Sequence, residues 1–326
     1  MAKVSVIVPI YNVEHYIERC VISLMKQTLD DIEYIFVNDC TPDKSIDILQ
    51  DVIELYPNRK KSVKIHKMST NSGQAAVRGQ GLDLATGEYV IYCDADDWVD
   101  LDLYELMYDA AKRKNADIVC CPAKDEYINK SIKREYEQLP SKCSLVVENW
   151  YSNSIGMFTW NKLVKRSVFV VNDVRPIKGI NMWEDNCLML RVMYYAQRLV
   201  QIYNSYYHYN RANANSLTKG YGREAIDQMI KCAVVLTDFF ESKPDYLKYK
   251  KTVCAIQFLA KLNLIVDRFD WLEEYRQIFP ESEKVMKFIK LNAFSVKGKI
   301  RFIFVRLHLA PLFVALFKLK NFVCSI

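Results

Sequence analysis

The first 121 residues alternate between continuous apolar runs and apolar residues at helical spacing. The run VSVIVPI at 4–10 is rich in β-branched residues, which is typical of a buried strand in a parallel sheet. Four apolar residues then recur every three or four positions, as on one face of a helix: Ile17, Cys20, Val21 and Leu24. Further strands are predicted at 32–39, 63–66, 88–93 and 117–121, with helical patterns between them. This βαβ alternation predicts an α/β fold with a doubly wound, mostly parallel sheet and helices on both faces.

The pattern changes after residue 121. Residues 122–220 hold only strand-like fragments, around 126–147, and the start of one helix. From residue 223 the apolar spacing is helical, with further helices predicted at about 246–267 and 272–292. We therefore predict three segments: an α/β domain over 1–220, a helical extension over 221–295, and a C-terminal tail over 296–326.

The tail combines positive charge with apolar residues. Residues 287–326, which include the tail, contain eight Lys and Arg and no acidic residue. Their charge of +8 exceeds the net charge of +6 for the whole chain. Its longest uncharged apolar stretch, Leu309 to Phe317, has nine residues, well below the roughly 20 of a spanning helix. The expected alternative to membrane contact is a helix packed on the rest of the protein.

We expect this tail to attach peripherally to an anionic membrane surface. The residues expected to meet headgroups are Lys297, Lys299, Arg301, Arg306, Lys318 and Lys320. Those expected to enter the acyl boundary are Phe302, Ile303, Phe304, Leu312, Phe313 and Phe317. The N-terminus has neither the length nor the cleavage site of a secretory signal, so we expect a cytoplasmic protein on the inner face of the cell membrane.

An acidic cluster directly follows the predicted strand at 88–93. Asp94, Asp96 and Asp97 lie within four residues, and their repulsion raises their pKa values unless a cation lies among them. Mg²⁺ or Mn²⁺ takes one or two carboxylates together with phosphate oxygens. We therefore predict a metal site at Asp94 and Asp96. For Asp100 and Asp102 we expect a place at a helix N-terminus.

Other candidate residues follow different strands of the same predicted sheet. In such sheets ligands bind at the carboxyl ends of the strands, where Pro9, Tyr11 and Asp39 lie. Tyr11 can stack on a nucleotide base and Asp39 can accept a hydrogen bond from one. Arg78 can pair with phosphate or orient Asp94. The alternatives are that Asp39 caps the following helix and that Arg78 forms a surface ion pair.

Two phosphate-binding motifs are absent. The chain has no G-x-G-x-x-G after its first strand and no G-x-x-x-x-G-K-[ST], which disfavours dinucleotide-binding proteins and P-loop hydrolases. The positive charge is confined to the tail, so nucleic-acid binding is also disfavoured. Trp160, Trp183, Tyr206 and Tyr207 are candidates for sugar stacking, although packing in the core is the expected role for most of them. His208 is expected to be structural, with metal ligation left open.

Several ordered blocks resemble glycosyltransferase family 2. They are VSVIVPIYNVEHYIERCVISLMKQT, IEYIFVNDCTPDKS, NSGQAAVRGQGLDLATGEYVIYCDADDW, and WNKLVKRSVF followed by WEDN. The resemblance covers about residues 3–217, and the family opening V-S-[IV]-[IV]-[IV]-P-x-Y-N is matched at each place. Two loops depart from the family: Val77-Arg78-Gly79 stands for A-R-N and Asn38-Asp39-Cys40-Thr41 for D-D-G-S. Arg78 and Asp39 themselves are retained.

The resemblance implies a GT-A fold and specific roles for the candidate residues. Pro9, Tyr11 and Asp39 would contact the nucleotide, commonly uridine. Asp94 would meet the ribose and the metal shell, and Asp96 would be the chief metal ligand. The MWEDN motif implies that Asp185 is the general base, with Glu184 beside it. Without the resemblance, Glu184 and Asp185 would only be favourable charges at the start of a helix.

The implied activity is a metal-dependent, inverting hexosyl transfer for polysaccharide biosynthesis. The donor would be a nucleotide sugar such as a UDP-sugar, and the acceptor a glycan or lipid-linked glycan, with Mn²⁺ or Mg²⁺ as cofactor. One alternative is a sugar nucleotidyltransferase, which would need a Gly-rich, basic loop that PIYNVEHY does not offer. The other is a catalytically silent scaffold that binds glycans or membranes.

Overall fold

The computed structural model describes residues 2–134, 137–152, 156–213, 222–266, 268–289 and 296–323. The chain divides into two compact units. The first, which we call the α/β unit, comprises Met1–Val146 and Gly156–Gly220. The second, which we call the helical unit, comprises Val147–Ile155 and Tyr221–Ile326. The functions assigned above to the three predicted segments stay predictions.

A seven-stranded sheet forms the centre of the α/β unit. Its spatial order is β10 (Leu199–Gln201), β6 (Ile118–Cys120), β9 (Lys162–Lys165), β4 (Tyr89–Tyr92), β1 (Val4–Ile10), β2 (Ile32–Asn38) and β3 (Val63–Lys67). Strand β9 is antiparallel to both of its neighbours, and every other pair is parallel. The predicted mostly parallel, doubly wound sheet is confirmed.

Helices connect the strands of this sheet on both faces. They are α1 (Ile17–Met25), α2 (Ser45–Glu54), α3 (Pro57–Lys60), α4 (Gln74–Leu84) and α5 (Leu103–Lys114). Val4, Val6 and Val8 of β1 belong to one buried cluster with apolar residues of α1, α2 and α5. On the opposite face, Ile7 packs so close to Gly81 of α4 that a Cβ at position 81 would overlap its Cγ2 atom. Glycine therefore allows α4 to pack tightly on the sheet.

A second sheet and further helices complete the α/β unit. The sheet has the order β5 (Trp98–Val99), β11 (Tyr207–Asn210), β7 (Ala123–Tyr127) and β8 (Lys130–Lys133). The helices are α6 (Cys143–Glu148), which continues into the helical unit, α7 (Arg166–Val171) and α8 (Glu184–Tyr195). The sequence predicted only strand-like fragments in this region. Since β9 and the second sheet consist of strands of two to five residues, their apolar pattern is weak.

Glu33 connects three segments through hydrogen bonds at the amino ends of the central strands. Its buried carboxylate accepts hydrogen bonds from Ser5 Oγ at 2.5 Å, Thr86 N at 2.5 Å and Gly87 N at 3.0 Å. Lys64 Nζ lies 2.8 Å from Glu33 Oε2. Burial alone raises the pKa of Glu33, but the hydrogen bonds from Lys64, Ser5 and Thr86 outweigh it and lower that pKa to about 2.

The helical unit contains five α-helices in its described part. They are α9 (Arg223–Glu241), α10 (Tyr246–Leu262), α11 (Phe269–Gln277), α12 (Val296–Arg306) and α13 (Ala310–Val323). A 3-10 helix over Pro280–Phe288 follows α11. The single helix predicted at 272–292 is therefore wrong, because Pro280 lacks the N–H that would continue α11.

Helices α12 and α13 contribute to the core of the helical unit. Phe302, Val305, Phe313 and Val314 are buried in one cluster that also contains Phe258. The expectation that Phe302 and Phe313 enter a lipid boundary is therefore wrong, because other side chains of the unit already cover them. None of the helices in the described part of the chain has the length and apolar character needed to cross a membrane.

Candidate active site

All eight predicted site residues line a single cavity of about 560 Å³ in the α/β unit. They are Pro9, Tyr11, Asp39, Arg78, Asp94, Asp96, Glu184 and Asp185. Pro9 lies in β1, Asp39 directly follows β2, and Asp94 and Asp96 follow β4. The parallel strands thus deliver residues remote in sequence to one edge of the sheet, as predicted. The individual roles of these residues stay predictions.

The expected nucleotide side of the cavity is formed by Tyr11 and Asp39. Tyr11 is 49% exposed, so a ligand can cover its ring. Asp39 is buried, and its carboxylate accepts hydrogen bonds from the N–H groups of Ser72 at 2.7 Å and Gly73 at 2.9 Å. Gly73 is the N-cap residue of α4 and has φ +80°, a conformation that favours glycine. Asp39 therefore stabilises the start of α4 and not that of the following helix α2.

Arg78 is buried among three carboxylates. Its Nη2 lies 2.8 Å from Asp94 Oδ1, and its Nη1 lies 2.7 Å from both Glu184 Oε1 and Asp185 Oδ1. Only 1% of the residue is exposed, so the alternative of a surface ion pair is wrong. Burial lowers the pKa of Arg78, but the three carboxylates outweigh this effect and raise it. Arg78 therefore stays charged and holds Asp94 against the first turn of α8.

Glu184 and Asp185 are the first two residues of α8. Thr159 Oγ1 donates a hydrogen bond of 3.1 Å to Asp185 Oδ1, which fixes that carboxylate on the cavity wall. Burial and the neighbouring Asp185 raise the pKa of Glu184 to about 8. Burial also raises the pKa of Asp185, against the opposing charge of Arg78. Because one guanidinium faces three carboxylates, one of them is expected to hold a proton near neutral pH, and Glu184 is the best placed to do so.

Asp94 and Asp96 are the candidate metal ligands. Asp96 Oδ2 accepts a hydrogen bond of 2.7 Å from Asn213 Nδ2. Burial and the nearby Asp94 raise the pKa of Asp96 to about 6, so the negative charge here is not fully compensated by the protein. Two carboxylates in such a place fit a divalent cation. In the described part of the chain no three His, Cys, Asp or Glu side chains are arranged so that they could hold a metal ion together, so phosphate or water would complete the coordination.

Asp97, the third carboxylate of the acidic cluster, has a different place. It is 1% exposed and accepts hydrogen bonds of 2.7 Å from Tyr207 Oη and from the N–H of Asn210. The Tyr207 hydroxyl also accepts a hydrogen bond of 3.0 Å from Asp94 N. Asp97 thus joins the loop after β4 to strand β11 and does not line the cavity.

Among the remaining polar and aromatic candidates, His208, Trp160 and Tyr207 are buried in the α/β unit, whereas Trp183 and Tyr206 are partly exposed. His208 lies between Glu126 and Asp100, with Nδ1 at 2.7 Å and Nε2 at 2.9 Å from their carboxylates, and its ring stacks on Trp98. Trp160 lines the cavity but is buried, stacked between Phe158 and Tyr207.

The two aspartates expected at a helix N-terminus also have partners there. Asp102 is the N-cap residue of α5, and its carboxylate accepts a hydrogen bond of 2.7 Å from Ser205 Oγ without capping the helix. Asp100 accepts a hydrogen bond of 2.8 Å from Tyr206 N. Both residues therefore tie the segment before α5 to the segment before β11.

Sequence reasoning missed another part of the cavity lining. Arg134 and Arg211 both line it, as do Phe158 and Tyr209. Arg134, Tyr209 and Arg211 come from the second sheet and its flanking loops, and Phe158 comes from the loop before β9 of the central sheet. The sequence did not resolve these short strands. The available sequence signal was the spacing of Tyr209 and Arg211, which are two residues apart, because this spacing places two side chains on the same face of a strand.

The comparison with known families decides the class of this protein. The family model for Glycosyl transferase family 2 matches residues 5–171, about half of the chain. The chain belongs to glycosyltransferase family 2. The predicted resemblance is thereby confirmed, and the protein is a glycosyltransferase enzyme. The alternatives of a sugar nucleotidyltransferase and of a silent scaffold are not supported.

A curated relative is also a glycosyltransferase by name, and solved structures share the fold. The uncharacterized glycosyltransferase EpsJ of Bacillus subtilis is 32% identical over 237 residues, which are 70% of this chain and 66% of EpsJ. The chain thus spans just under two thirds of that relative. Residues 1–349 of TarS from S. aureus, in complex with UDP-GlcNAc, match with a TM-score of 0.69 at 18% identity, covering 98% of this chain and 91% of that one.

A second solved structure comes from Pyrobaculum calidifontis. Its mannosyltransferase PcManGT, in complex with GDP-Man and Mn²⁺, matches with a TM-score of 0.57 at 14% identity. The match covers 98% of this chain and 87% of that one. At such low identity the two structures show the fold, which is the GT-A fold expected from the sequence.

Proposed function

We propose that this enzyme transfers a sugar from a UDP-sugar to a glycan or lipid-linked glycan, with inversion and with a divalent metal ion. The observation that carries the proposal is the single cavity lined by Asp94 and Asp96, by Glu184 and Asp185, and by Tyr11. TarS binds UDP-GlcNAc in a solved complex of the same fold, which supports a uridine donor. The structure with GDP-Man and Mn²⁺ supports a metal-assisted reaction on this fold.

In the proposed mechanism Asp185 is the general base. It takes the proton from an acceptor hydroxyl while that oxygen attacks the anomeric carbon on the face opposite the diphosphate. The new glycosidic C–O bond forms as the C–O bond to the diphosphate breaks, so the configuration inverts. A divalent ion held by Asp94 and Asp96 would supply positive charge for the departing diphosphate.

Arg78 orients both ends of this arrangement. Because its guanidinium contacts Asp94 and Asp185 together, it fixes the distance between the expected diphosphate position and the base. Thr159 holds the same oxygen of Asp185 through its hydroxyl. Because these partners of Asp185 are all groups of the protein itself, they orient the base toward an acceptor.

The decisive experiment is a screen of nucleotide sugars with Mn²⁺, with Mg²⁺ and with EDTA. Turnover of a UDP-sugar that EDTA abolishes and Mn²⁺ restores is the expected result, and NMR of the product should show an inverted anomeric centre. The Asp96→Asn variant should lose Mn²⁺-dependent turnover, whereas Asp100→Asn, which changes charge outside the cavity, should keep it. Full turnover in EDTA contradicts the metal proposal, and a retained anomeric configuration contradicts the inverting one.

Peripheral membrane attachment on the cytoplasmic face remains part of the proposal. It now relies on the exposed apolar side chains of α12 and α13. Ile303, Leu312 and Leu316 are 41%, 48% and 50% exposed. Lys299, Arg306 and Lys318 lie on the same two helices. This combination of exposed aliphatic groups and cations is suited to an anionic lipid surface.

A further inference from the structure

Part of the active-site cavity is lined by two arginines and three aromatic side chains. We call Arg134, Arg211, Tyr209, Phe158 and Trp160 the arginine wall. Arg134 follows β8, Tyr209 lies in β11 and Arg211 follows β11. None of these five residues has a role in the donor or base chemistry proposed above.

Both arginines of the wall pair with the same carboxylate, that of Asp125. Asp125 Oδ1 lies 2.7 Å from both Arg134 Nη2 and Arg211 Nε, and Asp125 Oδ2 lies 3.0 Å from Arg134 Nε. Burial raises the pKa of Asp125, but Arg134 and Arg211 outweigh it and lower that pKa. Arg211 therefore shares its carboxylate partner with Arg134 and does not have the charge of Asp125 to itself.

The aromatic rings of the wall are covered by the guanidinium groups. The Arg134 guanidinium carbon lies 4.8, 5.0 and 5.2 Å from the ring centroids of Tyr209, Trp160 and Phe158. That of Arg211 lies 4.6 Å from the centroid of Tyr209. These cation–π contacts place positive charge beside the rings on which a neutral sugar would pack. The surface offered to a ligand is thus cationic.

Arg211 has N–H donors that are available to an anionic ligand. Its side chain is 39% exposed, against 13% for Arg134. Its Nε–H is directed at Asp125. For the two Nη groups of Arg211, the described residues provide no acceptor within hydrogen-bond distance. A guanidinium edge of this kind binds two oxygens of a phosphate group at once.

We propose that the arginine wall binds a phosphate ester of the acceptor, so that the acceptor is a phosphate-bearing glycan. This proposal rests on the proposed glycosyl transfer. The donor diphosphate is expected beside Asp94 and Asp96, to which Arg211 is not bonded. A phosphodiester-linked polymer and a lipid-linked diphosphate saccharide both carry the required group.

The test measures binding of small probes to the full-length protein with UDP and Mn²⁺ present at saturation, so that the donor side is occupied. The probes are sn-glycerol 3-phosphate, glucuronate and glycerol, followed by calorimetry or NMR. Glycerol phosphate should bind, glucuronate should bind more weakly and glycerol should not bind. Arg211→Gln should weaken glycerol phosphate binding by about tenfold. Arg211→Lys should weaken it by less, because lysine keeps the positive charge but loses the paired N–H donors of the guanidinium group.

The charge-matched control is Arg276→Gln, which removes an exposed arginine paired with Glu273 in the helical unit. It should leave probe binding unchanged. Equal affinity of wild type and Arg211→Gln for glycerol phosphate, or equal binding of glycerol, overturns the proposal. So does probe binding that UDP displaces, because the probe would then have occupied the donor side.

The outcome for the proposed donor is read separately. UDP affinity is measured for each variant, and Arg211→Gln should keep it, which also shows that the variant is folded. If UDP does not bind, the proposed donor is wrong, and probe binding without UDP still tests the arginine wall. A glycerol phosphodiester dimer and a short prenyl diphosphate, used as further probes, distinguish the two sources, and tighter binding of either supports the proposal.

Discussion

Asp185 and Glu184 are neighbours on one helix turn, yet their surroundings give them different tendencies to ionise. Asp185 accepts a hydrogen bond from Thr159 and contacts Arg78, and both interactions favour its ionised form. Glu184 also contacts Arg78 but has its pKa raised to about 8. At neutral pH the pair therefore offers one carboxylate that can take a proton, and Asp185 is the one we assign.

The first prediction separates these two residues. Asp185→Asn keeps the size of the side chain and removes its basicity, so kcat should fall by roughly 10²–10⁴-fold. The affinity for UDP should change little, because Asp185 is not expected to contact the nucleotide. Glu184→Gln is the matched control and should retain most activity. If Glu184→Gln is inactive while Asp185→Asn turns over normally, Glu184 is the base.

The raised pKa of Glu184 also predicts a pH dependence of stability. In the unfolded chain Glu184 ionises near the ordinary glutamate pKa of 4.5, whereas in the folded protein it does so at about 8. Between these values the folded state binds the extra proton, so this group makes the protein less stable as pH rises. Glu184→Gln removes that contribution. Its Tm relative to wild type, measured without metal or nucleotide, should rise between pH 5 and pH 8, and a constant difference contradicts the shift.

The central strands are the elements that the sequence predicted best. β1, β2 and β4 are buried runs of four to seven residues with almost no polar interruption. Such runs carry a strong local signal. The four-residue strand β9 reads KLVK, and its antiparallel place between β6 and β4 depends on contacts remote in sequence. No local pattern can specify such a partner.

The same distinction explains which site residues could be predicted. Residues that follow the buried central strands, such as Asp39 after β2 and Asp94 after β4, were placed at the cavity from their position alone. The contacts of Arg78 with Glu184 and Asp185 span 106 and 107 positions. Their geometry could not be derived from spacing. Arg134 and Arg211 were missed because the second sheet that carries them was not predicted.

Glu33 gives a prediction at the level of the sheet. Glu33→Gln should destabilise the protein by about 2–4 kcal/mol, because buried donors of Ser5, Thr86 and Gly87 lose a charged acceptor. The folded pKa of about 2 lies below the ordinary glutamate value of 4.5. The stabilisation is therefore complete above pH 4.5 and is lost as pH falls toward 2.

Denaturant unfolding of wild type and Glu33→Gln between pH 3 and pH 7 measures this effect. The difference in unfolding free energy should shrink at the acid end. Glu54→Gln, which removes an exposed partner of Lys60, is the control and should cost less than about 1 kcal/mol. A Glu33→Gln variant as stable as wild type at pH 7 contradicts the role of Glu33.

At the scale of the whole molecule, membrane attachment can be tested without disturbing the core. Deleting the tail would remove Phe302 and Phe313 from the core of the helical unit, so point substitutions are preferable. Replacing exposed Ile303, Leu312 and Leu316 by serine should reduce co-sedimentation with anionic liposomes by about tenfold or more. Each substitution removes apolar side-chain area that would be buried in the lipid when the protein binds.

The matched control for this experiment replaces three exposed apolar residues elsewhere by serine: Leu55, Ile128 and Val171. This variant should bind liposomes like the wild type. Wild-type binding should also weaken at high salt, because screening reduces attraction to anionic headgroups. A wild-type protein that stays in the supernatant with liposomes contradicts membrane attachment.

The participation of α12 and α13 in a buried cluster affects how the protein is made. Strands and helices of the α/β unit up to residue 220 leave the ribosome before Phe302, Phe313 and Val314 are synthesised. Until those residues arrive, Phe258 and Leu262 lack part of their apolar surroundings, and so do Trp150 and Tyr151. Domains generally fold as they emerge, N-terminal first. During translation, the catalytic half can therefore be complete while the other half is still a client for chaperones.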